Sequence, residues 1–200
     1  SLKKNQKSFT ELNKFYPNSP YSASKASGDL LARAWNKTFK IPIITTNSSN
    51  NYGPWQFPEK LIPVVISNCL KGINIPVYGN GTNVRDWLYV EDHIEALIKI
   101  SKFAKAGSNF NIGGGKEVTN ISVVKKICSI LDEIEPKKFK YSKLIEFVND
   151  RPGHDFRYSI NFNKLKKELN YKPKVEFELG LLKTINWYLS NKKWLLKNNK

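Results

Sequence analysis

The chain has 200 residues, with 33 Lys and Arg against 17 Asp and Glu, a formal net charge of +16; that length suits one large domain or one and a half small ones. Apolar residues at 40% and aromatics at 12% exclude wholesale disorder, and the longest apolar run, Leu61 to Ile66, is broken by Pro63 and far short of a membrane span. Only four basic residues are Arg and the 29 Lys are dispersed along the chain, which reads as solvated surface and not as a nucleic-acid interface built on Arg forks.

Residues 1–18 are polar and weakly periodic, a loop. Ser19-Pro20 reads as an N-cap followed by Pro at the first helical position. A helix is predicted from Tyr21 to about Phe39, with Leu30, Leu31, Ala34, Trp35 and Thr38 on one face to be buried. Ile41–Thr46 is β-branched and predicts a buried strand, and 48–54 a polar loop directly after it. Helices are predicted over Lys60–Leu70, Val90–Phe103, Ile121–Leu131, Asn163–Leu169 and Leu179–Leu195. Strands are predicted over Ile75–Tyr78, Asp86–Tyr89, Asn109–Ile112 and Glu146–Val148. Alternating short strands and helices argue for an α/β fold with a partly parallel sheet, in which ligands sit beyond the C-terminal strand ends. Cys69 and Cys128 lie far apart in helical patterns and read as buried free thiols of a reducing compartment. His93 and His154 have no Cys partner or metal-ligand spacing, so no metal site is expected.

Tyr21 and Lys25 stand at i and i+4, one helix face, where an ammonium can make a phenol a better proton acceptor. The pair opens a helix that leads into a strand and a polar loop, a layout that resembles the short-chain dehydrogenase/reductase superfamily. Asn18–Ser27, Ser49–Pro54 with Phe57–Pro63, Pro76–Gly79 with Arg85–His93, Asn111–Gly114 and Asp150–Asp155 narrow it. In order, they resemble the extended members that act on nucleotide sugars, and among these the dTDP-glucose 4,6-dehydratase family, from about residue 16 to the end. Arg151-Pro152-Gly153-His154-Asp155 is the most discriminating string, since sugar-nucleotide epimerases and decarboxylases share the Tyr/Lys pair but usually not that run.

The resemblance implies an incomplete Rossmann-type parallel sheet in residues 1–55 and a smaller mixed α/β substrate-binding domain in 56–200, with segments returning to the sheet. It implies NAD as cofactor, dTDP-glucose as substrate, a homodimer in which the Tyr21–Phe39 helix takes part, a cytoplasmic location and no membrane partner. Tyr21 would take the proton of the C4 hydroxyl while hydride leaves C4, and Lys25 would hold the nicotinamide ribose. Asn51 would contact the cofactor, and Asn50 the substrate diphosphate. Lys60, Leu61, Pro76, Val77, Tyr78, Arg85 and Asn120 would line the nucleotide pocket, with Asp150, Arg151, Pro152, Gly153 and His154 closing over it. Asp86 reads as capping a turn, with Trp87 and Tyr89 as core.

Two expected elements are missing. No Gly-x-Gly-x-x-Gly turn occurs, since Val84 and Val118 stand where third glycines would be needed, and no Thr-Asp-Glu precedes Tyr21. The sequence also contains no Met. The chain is therefore expected to be the C-terminal part of such an enzyme, which alone neither binds NAD tightly nor turns over dTDP-glucose. The alternatives are a UDP-sugar epimerase or decarboxylase and, from another class, a non-catalytic nucleotide-sugar or nucleic-acid binding module.

Overall fold

The computed structural model describes residues 2, 3 and 5–198. Helix α1 (Pro20–Phe39) starts where Ser19 Oγ accepts the Ser22 N–H at 3.2 Å, and it ends at Lys40, in the left-handed region at φ 57°. The chain then bends at Pro42, where the Ile43 N–H donates to Ile41 O at 2.8 Å. That bend keeps 41–44 out of any ladder and moves the expected strand to β1 (Thr45–Ser48). β2 (Asn50–Tyr52) follows within the expected loop, then α2 (Leu61–Lys71), β3 (Ile75–Tyr78), β4 (Val84–Tyr89) and α3 (Val90–Phe103). Next come β5 (Asn109–Ile112), β6 (Glu117–Thr119), α4 (Asn120–Ile134), a 3₁₀ turn at Tyr141–Leu144, β7 (Ile145–Val148) and β8 (Arg157–Tyr158). The chain closes on α5 (Asn163–Leu169), α6 (Phe177–Ser190) and α7 (Lys192–Asn198). The single helix expected over Leu179–Leu195 is two, because Asn191 breaks it: its side-chain amide donates to Trp187 O at 2.8 Å.

The pairing is mainly parallel: β1 with β5, β2 with β4, β3 with β7 and β8 with β4, while β6 runs antiparallel to β4. The chain changes neighbours at Ser49. Ser48 lies opposite Ile112 of β5 and the Ser49 N–H still donates to Ile112 O at 3.0 Å, but Asn50 already lies opposite Trp87 of β4. Such a divergence opens a crevice at the strand ends, the usual place for a ligand in this fold class.

One core gathers Tyr52, Ile62, Ile66, Trp87, Ile127, Leu131, Leu181 and Ile185; a second gathers Leu88, Ile100, Phe110, Ile112, Leu165 and Tyr171. Trp87 and Tyr89 are core, as their pattern implied. Cys69 of α2 and Cys128 of α4 are buried and free, and α2–α4 packing brings the two thiols into a hydrogen bond that sequence separation concealed. The expectation for α1 fails on one point. None of its residues is buried, and Leu30, Leu31, Trp35 and Phe39 face outward beside a cleft of about 430 Å³ between α1 and the β1–β5 pair. Periodicity identifies the face that wants cover, but it does not supply the cover. No helix among the described residues is long and apolar enough to cross a membrane.

Candidate functional site

The residues expected around a nucleotide converge at the C-terminal end of β3. β3 lies beside β7, the Gly79 N–H donates to Val148 O at 2.8 Å, and the loop after β7 folds back over Tyr78. That loop turns at Pro152-Gly153, with Gly153 at φ 70° and the His154 N–H donating to Arg151 O at 3.2 Å, the pattern of a type II turn. The turn returns His154 to the residues before it. His154 Nδ1 lies 2.6 Å from Asp150 Oδ1, Arg151 Nη2 lies 3.1 Å from His154 Nε2, and the Arg151 guanidinium stands 4.8 Å from the Tyr78 ring centroid. The bond from His154 holds the Asp150 carboxyl below its ordinary range.

Arg85, on β4, reaches the far end of this loop. Its Nη2 donates to Asp155 O at 2.8 Å and its Nη1 to Val84 O at 2.7 Å, while Asn83 Nδ2 donates to the same Asp155 carbonyl at 3.2 Å. Burial lowers the pKa of this guanidinium, with nearby Asp155 opposing. Arg85 therefore anchors the loop as well as bringing charge to it. Asn120, the first residue of α4, donates its N–H to Asn83 O at 3.0 Å and so joins the same end. Pro76 and Val77 lie on β3, with Val77 buried and Tyr78 exposed. Lys60 stands at the start of α2 without a side-chain cap and pairs with Glu59 at 3.0 Å; Leu61 is the first helical residue. Those first-turn N–H groups form a positive helix end.

The residues expected to do chemistry lie on two elements, α1 and β2. Tyr21 is 71% exposed at the start of α1, with Lys25 Nζ 5.6 Å from its ring centroid. Asn50 and Asn51 lie on β2; Asn51 Nδ2 donates to Ser48 Oγ at 3.3 Å, and Asn51 Oδ1 is a buried acceptor without a hydrogen-bond partner. Among the described residues, no hydrogen bond or ring contact joins Tyr21 or Lys25 to the nucleotide group. α1 meets the sheet further along, where Asp29 bonds to the Asn47 side chain.

Sequence reasoning missed Gln56, whose Nε2 donates to Asn51 O at 2.9 Å and whose carbonyl accepts the Tyr188 hydroxyl at 2.7 Å. It missed Asn83 and the carbonyl of Asp155 as well. Backbone acceptors leave no signature in residue type; only the position of Asn83 two residues before Arg85 hinted at it.

Asp86 is more than a turn cap. It is 1% exposed and accepts from the Lys116 N–H at 3.1 Å, the Gly114 N–H and the Ser49 side chain. Burial pushes its pKa up to about 6. A carboxyl raised on folding contributes stability in full below its unfolded pKa near 4 and loses it as pH rises through 6. The wild type is therefore expected to gain about 2–3 kcal/mol relative to Asp86→Asn between pH 8 and pH 4. Paired urea melts across that range check this; parallel curves for the two proteins would remove the burial argument.

A family model described as GDP-mannose 4,6 dehydratase matches residues 3–184. The dTDP-glucose 4,6-dehydratase of Shigella flexneri is 55% identical over 187 residues, 94% of this chain and 52% of that protein. The crystal structure of dTDP-glucose 4,6-dehydratase from Bacillus anthracis in complex with NAD has a TM-score of 0.89 at 47% identity, covering 100% of this chain and 61% of that one. A dTDP-glucose 4,6-dehydratase from Streptomyces venezuelae, also crystallised with NAD, has a TM-score of 0.87 at 41% identity, with 95% and 57% covered. The chain spans about half the length of the curated relatives it matches. An α/β fold with mainly parallel strands and a family-model match over residues 3–184 identify the chain as belonging to the GDP-mannose 4,6-dehydratase family.

Proposed function

We propose that this chain is the substrate-binding and base-bearing part of an NAD-dependent enzyme that converts dTDP-glucose to its 4-keto-6-deoxy product. The observation that carries the reading is the convergence of Tyr78, Arg85, Arg151 and His154 at one end of β3. Two guanidiniums there suit a diphosphate, and the exposed Tyr78 ring suits stacking on a base. Residues 1–55 would belong to the cofactor-binding part and 56–200 mainly to the substrate part, with strands such as β5 returning to the first sheet. The outward Leu30, Leu31, Trp35 and Phe39 support a role for α1 in a homodimer.

The residues present fit the nicotinamide end of NAD. The unpartnered Asn51 Oδ1 would accept from the carboxamide, and Lys25 would hold the ribose hydroxyls. The Gly-x-Gly-x-x-Gly run that would receive the pyrophosphate end does not occur in these 200 residues. Bound NAD would supply the hydride acceptor for C4 and return the hydride at C6. Tyr21 would accept the C4 hydroxyl proton. Arg85 and Arg151 would hold the diphosphate.

Calorimetric titration of the chain tests this. dTDP-glucose is expected to bind at least about tenfold more tightly than NAD. Arg151→Ala is expected to weaken dTDP-glucose about 10–100-fold, the loss of one charge-assisted contact. Equal affinity in the variant removes Arg151 from the site. In any preparation that turns dTDP-glucose over, the product is lighter by one water; an unchanged mass replaces dehydration with epimerisation.

A further inference from the structure

The Asp150–His154 loop admits one arrangement of protons. A guanidinium carries only donors, so Arg151 Nη2, 3.1 Å from His154 Nε2, is donating and Nε2 is the acceptor. The other ring nitrogen, 2.6 Å from Asp150 Oδ1, therefore carries the proton. In that tautomer the imidazole bridges carboxylate and guanidinium. The Pro152-Gly153 turn holds it in place, and its side chain is only 7% exposed. Protonating Nε2 would remove the acceptor Arg151 uses and set two cations 3.1 Å apart, while Asp150 would keep the imidazolium.

The groups facing this ring are few. Asp150 and Arg151 of its own loop and Tyr78 of β3 meet it directly, and Arg85 of β4 interacts electrostatically with Asp150, Arg151 and Asp155 of the same loop. Arg85 is committed to the Val84 and Asp155 carbonyls, and Tyr78 meets the imidazole edge-on with centroids 6.5 Å apart. Arg151 is the less anchored guanidinium: among the described residues, its side chain meets the His154 ring and the Tyr78 ring, and the second contact sets no direction as strictly as a hydrogen bond.

We propose that His154 is a proton-driven latch on Arg151, which parks the guanidinium against Tyr78 while neutral and frees it for the phosphates of an anionic ligand when protonated. The latch rests on the nucleotide-sugar reading above and adds to it a positioning role for His154 and a proton taken up on binding. Reciprocity follows: a diphosphate that draws Arg151 away leaves Nε2 open beside Asp150 and an anion, so the ligand promotes the same protonation. The range from pH 5 to 8, where an unperturbed imidazole changes charge, is the range over which the latch is tested.

dTDP-glucose is the probe, because its diphosphate is a diester with no group titrating between pH 5 and 8. Its affinity for the full chain is expected to rise about 5–10-fold from pH 8 to pH 6, with proton uptake seen as a buffer-dependent heat. His154→Asn keeps an N–H for Asp150 and removes the titration, so its affinity is expected to vary less than about twofold. Nitrogen NMR of the ligand-free chain reads the latch directly. The expected result is Nδ1–H imidazole at pH 8, with the Arg151 guanidinium signals moving as the ring protonates. Nε2–H imidazole, or Arg151 signals that ignore the ring, overturns the latch whatever binds. A pH-independent dTDP-glucose affinity overturns it too, and leaves the nucleotide-sugar reading standing. Failure of dTDP-glucose to bind at any pH overturns that reading alone when the NMR titration is as expected.

Discussion

Gly114→Ala is expected to cost about 3–5 kcal/mol of folding free energy, or to abolish the cooperative transition. A Cβ at Gly114 would sit 1.8 Å from Trp87 O, 2.6 Å from Trp87 C and 3.1 Å from the Leu88 Cα. These are backbone atoms of β4, the strand flanked by β2, β6 and β8, so they cannot retreat without disturbing three partners. The Gly114 N–H also supports the buried Asp86 carboxylate, which loses a donor if the turn moves. Gly153→Ala is the control. It meets nothing within 4 Å, yet its φ of 70° carries a backbone cost of about 1 kcal/mol. Urea denaturation of the two variants separates contact from conformation. A loss under about 1 kcal/mol at Gly114 would mean the turn after β5 relaxes freely.

The contrast between local and long-range determinants explains which elements the sequence disclosed. α3, α5, β3 and β5 have the bounds their patterns implied, because periodicity and flanking turn residues act within a few positions. β2, β6 and β8 were not visible. Asn50-Asn51-Tyr52 has poor strand propensity and becomes a strand only through its ladder with β4, and β8 is two residues long. The break at Asn191 depends on one side-chain bond within a strongly apolar run. At the site, residue type disclosed the chemistry and left the wiring hidden. Arg85 was read as a fork for phosphate, yet two of its nitrogens already serve the Val84 and Asp155 carbonyls. Arg157, which no motif singled out, is held by a bidentate pairing with Glu117 that ties β8 to β6.

The run Arg85–His93 is one of the stretches that carry the family resemblance, and two of its carboxylates hold backbone. Asp86 holds the turn after β5. Asp92, in the first turn of α3 and 3% exposed, accepts the Lys174 N–H on Oδ1 and the Val175 N–H on Oδ2, each at 3.0 Å. Those amides belong to the segment leading into α6, so one side chain fixes α3 to the lead-in of a helix that fills the larger core. Asp92→Ala is expected to cost about 2–3 kcal/mol, because it strands two part-buried donors and opens space beside a cleft of about 320 Å³. Asp92→Asn keeps one acceptor but turns an N–H toward the other amide, and about 2 kcal/mol is expected. Hydrogen exchange at Lys174 and Val175 distinguishes this staple from a diffuse loss of stability: in Asp92→Ala those two amides lose protection beyond the global change, whereas amides in β3 follow the global change alone. If the two amides tracked the rest of the chain, Asp92 would matter only through the charge it places at the α3 N-terminus, worth under about 1 kcal/mol. A motif that combines ligand groups with backbone staples in this way resists substitution for two independent reasons. Substitutions at Asp86 and Asp92 should therefore act on stability first and on ligand affinity only through it.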